Sequence, residues 1–167
     1  MAASKTFRQP SVAMKNLHAL AEFRYYLRGF LNFSEGVVEE AGLHPQQYQL
    51  LQVVAAVPDG ELPTIAYVAA RLYLRHNSTV ELVNRTEQQG MLKREIDTND
   101  HRKVLLRLTP RGREQLTTLV ERHYVQLKQW APQMIDVLRK VTGEGEEMPR
   151  TEGRATDMIS RAKTRRR

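Results

Sequence analysis

From Met14 to about Ala41 the apolar residues Leu17, Leu20, Phe23, Leu27, Phe30, Leu31, Val37 and Val38 recur at steps of three and four. That period predicts one long amphipathic helix over 14–41. Gly42 stands where a helix end favours a left-handed residue. His44-Pro45 then opens a second helix, Gln46 to Val57, and Pro58-Asp59-Gly60 stops it. Thr64 is placed to cap a short third helix whose inner face is Ile65, Val68, Ala69 and Leu72. Tyr73–Arg75 links it to a fourth helix from about Asn77 to Gln89, with Val80, Leu82 and Val83 inward and Gly90 at its close. Short helix, tight link and second helix make a helix-turn-helix.

The period then changes. Met91–Ile96 and Lys103–Thr109 read as two strands, and the polar run Asp97-Thr98-Asn99-Asp100-His101-Arg102 between them reads as a turn. A hairpin directly after a helix-turn-helix is a wing. Thr109-Pro110 starts a last helix that keeps its apolar spacing to about Val141, with Pro132 expected to kink or divide it. The fold class is therefore mainly α with a small β-wing. A winged helix-turn-helix lobe over about 44–110 stands between long helices at about 14–41 and 110–142. Both long helices carry more apolar length than one small lobe can cover, so a second copy is expected to cover the surplus. Residues 1–13 read as a flexible arm. Residues 143–167, rich in Gly, Glu, Pro, Thr and Arg, read as a basic tail that buries too little to order itself.

Composition narrows the chemistry. The 167 residues, 41% apolar and 27% charged, suit one globular domain with arms. No apolar run reaches the roughly 18 residues of a membrane span and no leader-like segment opens the chain, so a cytoplasmic protein with no membrane partner is expected. Zero cysteines exclude disulfides, thiolate catalysis, Cys-bearing metal sites and thiol-based peroxide sensing. His18, His44, His76, His101 and His123 are scattered, and neither a phosphate loop nor a nucleophile elbow is present. Neither an enzyme nor a bound cofactor or metal is expected. The net charge of +7 is unevenly placed. Residues 1–30 carry +4, 31–60 carry −4, 61–113 carry +4, 114–142 carry +1 and 143–167 carry +2. The basic share of 61–113 coincides with the helix-turn-helix and wing, which points to an anionic partner there.

The N-terminal end of the fourth helix is the part of such a lobe that reaches base edges. Here it is Arg75-His76-Asn77-Ser78-Thr79, followed by Glu81. An Arg forks to guanine, an Asn bridges adenine, Ser and Thr reach phosphate or base, and a Glu accepts from cytosine. The plainer reading has Ser78 as a helix cap and the rest as a solvated face. At the wing, Arg102 follows Asp100 by two, which in a tight hairpin sets the carboxylate beside the guanidinium and extends Arg102 toward a narrow minor groove.

With these stretches in hand, the chain resembles the MarR family of winged-helix transcriptional regulators. The likeness rests on Leu72–Arg85, on the corner Gln89-Gly90-Met91-Leu92, and on Asp97–Arg102 followed by Leu106-Arg107-Leu108-Thr109-Pro110-Arg111-Gly112. The last of these is similar to a wing motif Asp-x-Arg-Asp-x-Arg ending in Leu-Thr-x-x-Gly. Asn99 stands where the family often has its first wing Arg, and Asn84 and Thr86 replace the frequent Asp and Leu around Arg85. The resemblance implies DNA contacts from Arg75, His76, Asn77, Ser78, Thr79, Glu81, Arg85, Asn99, Asp100 and Arg102. It also implies a homodimer on a pseudo-palindromic duplex operator, acting as a repressor released by a small aromatic or phenolic ligand. For that ligand the candidate residues are Phe23, Arg24, Tyr26, Arg28, His44 and Tyr48, a guanidinium-and-aromatic set suited to an aryl acid. The alternative is a winged-helix protein-interaction module without operator binding.

Overall fold

A computed structural model describes residues 12–142 of the chain. The expected arm and basic tail lie outside the described residues, apart from the first turn of the first helix. The elements are α1 (Val12–Glu40), α2 (Pro45–Ala55), α3 (Ile65–Leu72), α4 (His76–Gln88), β1 (Leu92–Ile96), β2 (Val104–Leu108) and α5 (Pro110–Thr142). They form two compact units, one of Arg24–Gln133 and one containing the start of α1 and the end of α5. In the second, Ala19 and Val137 are buried. The division thus falls inside the long helices. The later part of α1 and the earlier part of α5 build the core of the first unit, where Val37, Val38, Leu116 and Leu119 pack with Leu50, Leu51, Val68, Leu82, Leu92 and Leu106. Burial of these branched side chains is the main favourable term holding the lobe together.

Pro132 does not divide the last helix: α5 continues through it to Thr142. Proline removes one backbone donor and crowds only the turn before it, so a ladder this long persists on both sides.

Each shorter helix is fixed by its ends. The His44 backbone N–H donates to Gln47 Oε1 (3.0 Å) and the His44 ring accepts from the Gln46 N–H (3.3 Å), a reciprocal cap for α2. Thr64 Oγ1 accepts from the Tyr67 N–H at 3.2 Å and starts α3. Tyr73 ends α3 in the left-handed region, at φ 54°.

β1 and β2 pair antiparallel, with Leu92 opposite Leu108 and Ile96 opposite Val104. A lone hairpin is marginal in water. This one is anchored by its buried leucines and by the Leu106 N–H donating to the Pro63 carbonyl at 2.8 Å. Its base is tied to α5. The Thr109 N–H donates to the Met91 carbonyl (3.1 Å), Thr109 Oγ1 donates to the Gly90 carbonyl (2.7 Å) and accepts from the Gly112 N–H (3.0 Å). The helix comes so close that a Cβ on Gly112 would lie 1.9 Å from the Met91 carbonyl oxygen.

Two glycine replacements should therefore act with opposite signs. Gly112→Ala is expected to lower unfolding stability by about 3 kcal/mol, since backbone must shift to admit the methyl. Gly36→Ala, within α1 and with nothing inside 4 Å of the added methyl, should raise it by about 0.5–1 kcal/mol. Urea titration of both variants measures the pair of shifts.

Candidate nucleic-acid interface

α4 begins at His76, one residue before the expected start, with Arg75 at the cap position and no side-chain cap bond. Ser78 is therefore not the cap. Leu82, Val83, Thr79 and Thr86 turn inward, and His76, Asn77, Ser78, Glu81 and Arg85 stay exposed. Asn77, Glu81 and Arg85 share one stripe at four-residue steps. Thr79 is a correction to the sequence reading. It is fully buried and its hydroxyl donates back to the Arg75 carbonyl (3.0 Å), which satisfies it within the helix and keeps it from any base edge. Arg85 lines a surface cavity of about 420 Å³ with Gln46, Gln47, Gln88 and Gln89.

The wing root is clamped to α4 by a side chain that the sequence reading passed over. Arg94 on β1 donates to Asn84 Oδ1 (2.7 Å) and pairs with Glu87, whose carboxylate also accepts the Arg94 backbone N–H at 3.1 Å. Asn84 thus supports Arg94, not its neighbour Arg85. Only the i, i+3 spacing of Asn84 and Glu87 on the predicted helix hinted at a shared partner.

At the tip, buried Asp97 accepts from the Asn99 N–H (2.8 Å), an Asx-type turn that shapes the loop. Asn99 itself is exposed. Asp100 Oδ1 accepts from Arg102 Nε (3.0 Å) and from the Arg102 backbone N–H (3.2 Å), while Lys103 Nζ lies 3.7 Å from Oδ2. The Arg102 side chain, hydrogen-bonded to Asp100, holds that carboxyl below its ordinary range, aided by the backbone bond. The group is therefore ionised at neutral pH. The pair is exposed and contributes little stability. Its effect is directional, because Arg102 is 91% exposed yet fixed at its Nε. Glu95 meets Lys93 on its own strand (2.6 Å) and Arg107 across the hairpin (3.6 Å), and the Lys93 hydrogen bond lowers its carboxyl in the same sense.

The six residues expected to hold an aryl acid are not brought together. His44 is engaged as the cap of α2 and adjoins the Arg85 cavity. Tyr26 and Arg28 line another cavity, about 380 Å³, with Tyr25, Gly29, Asn32 and Trp130. Arg24 is exposed and Phe23 belongs to the other unit. On α1, Phe23 and Tyr26 fall on one face and Arg24 and Arg28 on another, while Tyr48 lies on α2 and His44 at its cap, so the six form no continuous set. Tyr48 lies in a third place, lining a cavity of about 280 Å³ with Phe30, Leu31, Ser34, His123 and Tyr124. There the His123 ring stacks on Tyr48 (4.6 Å between centroids), bonds the Leu119 carbonyl (2.6 Å) and meets Ser34 Oγ (2.8 Å). The Tyr48 hydroxyl is buried without a hydrogen-bond partner among the described residues, and burial pushes its pKa up to about 12. Sequence reasoning noted His123 only as one of five scattered histidines and missed Ser34. The signal was that His123 follows Leu119 by one helical turn on the apolar face.

Among the described residues no group of three His, Asp or Glu could hold a metal ion, and no helix is long and apolar enough to cross a membrane.

Comparison with known proteins agrees with this geometry. The family model described as "MarR family" matches residues 41–103, from the end of α1 to the wing tip. A protein of Thauera aromatica named for transcriptional regulation of the hcr operon is 27% identical over 96 residues, covering 58% of this chain. The aligned part spans 56% of that relative's length. MepR of S. aureus, solved as a mutant bound to an oligodeoxyribonucleotide, superposes with a TM-score of 0.57 at 18% identity, covering 73% of this chain and 94% of MepR. CouR from Rhodococcus jostii, solved bound to p-coumaroyl-CoA, superposes with a TM-score of 0.55 at 23% identity, covering 67% of this chain and 82% of CouR. At these identities the structural likeness speaks for the fold. The match over α2, α3, α4 and β1 makes residues 41–103 similar to the MarR family, and the solved neighbours share the fold of the chain.

Proposed function

We propose that two copies of the chain bind a pseudo-palindromic duplex operator, each placing the N-terminal end of α4 in a major groove and its wing tip in the adjoining minor groove. The observation that carries this is Arg102, exposed at the tip but fixed by Asp100, on the same lobe as the exposed His76, Asn77 and Ser78. A cation held extended suits the narrow minor groove, where the negative potential is concentrated. Arg75, Asn77, Glu81 and Arg85 are assigned to the major-groove side and its flanking phosphates, and Asn99 to the wing. Thr79 has no direct contact in this scheme.

The dimer is supported by apolar side chains exposed on both long helices. They include Met14, Leu17 and Leu20 on α1, and Tyr124, Val125, Leu138 and Val141 on α5. A second copy would remove this surface from water. Two-fold symmetry then sets half-sites about ten base pairs apart.

We further propose that the protein represses and is released by a small phenolic ligand in the Tyr48 cavity. About 280 Å³ suits a single ring, and its aromatic walls carry the Tyr48 and Ser34 hydroxyls and the His123 imidazole as hydrogen-bonding groups. None of its lining residues is an Arg or Lys, so a phenol fits it better than a carboxylate. CouR, with its aryl thioester, is a structural neighbour with an aromatic ligand.

Arg102→Ala is expected to weaken operator binding by about 1–3 kcal/mol and to make the salt slope shallower by about one unit. The duplex comes from selection out of a random pool at physiological salt, and a salt-titrated mobility shift reads both quantities. No enriched two-fold motif, or an unchanged slope, overturns the reading. For the cavity, Tyr48→Phe should leave stability unchanged or raise it by up to about 1 kcal/mol, since the lost hydroxyl has no partner to lose. The same change should weaken binding of the probe 4-ethylphenol about fivefold in calorimetry. Equal affinity of both proteins for the probe removes Tyr48 from the site.

A further inference from the structure

Between α3 and α4 the chain turns at an unusual residue. Tyr73 is the only non-glycine among the described residues with a positive φ, at 54°. The turn is closed by the Leu74 N–H donating to the Ala69 carbonyl (2.9 Å) and the Tyr73 N–H to the Ala70 carbonyl (3.4 Å). That is the geometry in which a helix end usually carries glycine, because a Cβ crowds the left-handed backbone. Tyrosine has neither glycine's freedom nor the short polar side chain with which asparagine offsets the strain.

Nothing among the described residues repays the placement. The Tyr73 side chain is almost wholly in water, at 96% exposure, the highest of any large apolar residue described. A strained backbone beneath an unpacked side chain is not a folding device, since glycine would close the turn with less strain. Strain of this kind persists where the side chain serves something outside the fold.

What lies beside it identifies the partner. Tyr73 precedes Arg75, the cap residue of α4, by two positions, so their Cα atoms are at most about 7.6 Å apart. Arg71 and Arg75 flank it, both exposed, and His76 and Asn77 follow directly. The ring therefore stands at the cationic edge of the end of α4 assigned above to the major groove, where a duplex presents phosphate oxygens. A neutral phenol there can donate one hydrogen bond to a phosphate, a contact that sets position and adds no charge.

We propose that Tyr73 is a DNA-positioning residue, its hydroxyl donating to an operator phosphate beside the major-groove half-site. This rests on the operator-binding reading above.

Two variants separate the contact from the turn. Tyr73→Gly relieves the backbone and removes the ring. It should raise the thermal midpoint by about 1–4 °C while weakening binding of the selected duplex about tenfold. Tyr73→Phe keeps ring and strain but loses the donor. It should leave the midpoint unchanged and weaken binding about fivefold, with the salt slope as in the unmodified protein because no cation is removed. Arg102→Ala serves as the internal control, since its slope changes. If the unmodified protein selects no duplex, the operator reading itself falls. If it does, and Arg102→Ala weakens binding while either Tyr73 variant binds as the unmodified protein does, the assignment of Tyr73 is overturned and the operator reading stands. A lowered midpoint in Tyr73→Gly, or a changed oligomeric state by light scattering, also overturns it, since the residue would then serve folding or assembly.

Discussion

The corner formed by Gly90, Met91, Thr109 and Gly112 is the constraint on which the lobe depends. There α4 has just ended, β1 begins and α5 sets out, and the three are joined by the backbone N–H and the hydroxyl of a single threonine. The approach is so close that Gly112 has no room for a methyl. Because the strands contribute few residues, the wing has no sheet of its own to stabilise it. It inherits its orientation from α5 at the base, from Pro63 along its edge and from Arg94 on its α4 side. Those three attachments set where the tip lies, and Asp100 at the tip sets the direction of Arg102.

Much of this was legible in the residue pattern, because it depends on local physics. The three- and four-residue apolar steps located α1 and α5, Thr64 marked the start of α3, and the polar run of 97–102 fell at the hairpin turn. The Asp100–Arg102 contact was readable too, since residues two apart in a tight turn meet whatever surrounds them. Family resemblance, resting on Leu72–Arg85 and the Leu-Thr-x-x-Gly stretch, supplied the functional class that spacing alone could not.

What was not legible depends on contacts between distant segments or on helical phase. Thr79 and Ser78 are neighbours in a string of polar residues, and only the exact start of α4 decides that one faces the core and the other water. The aromatic-and-arginine set of α1 failed for the same reason, as its members wrap around the helix and His44 was already needed at the end of α2. Ser34 and His123 are separated by most of the lobe in sequence, so their hydrogen bond had no local signature. Pro132 misled in the opposite way. Its local rule is sound, but one missing donor in so long a helix is a small perturbation.

The Arg94 clamp has a consequence for control. By joining β1 to Asn84 and Glu87, it ties the root of the wing to α4 as one hydrogen-bonded unit. On the proposed operator, a lobe joined in this way would not surrender one groove and keep the other. A signal acting on the proposed complex would then reposition the whole unit, a response closer to a latch than to a dial, and weakening would be felt on both grooves at once.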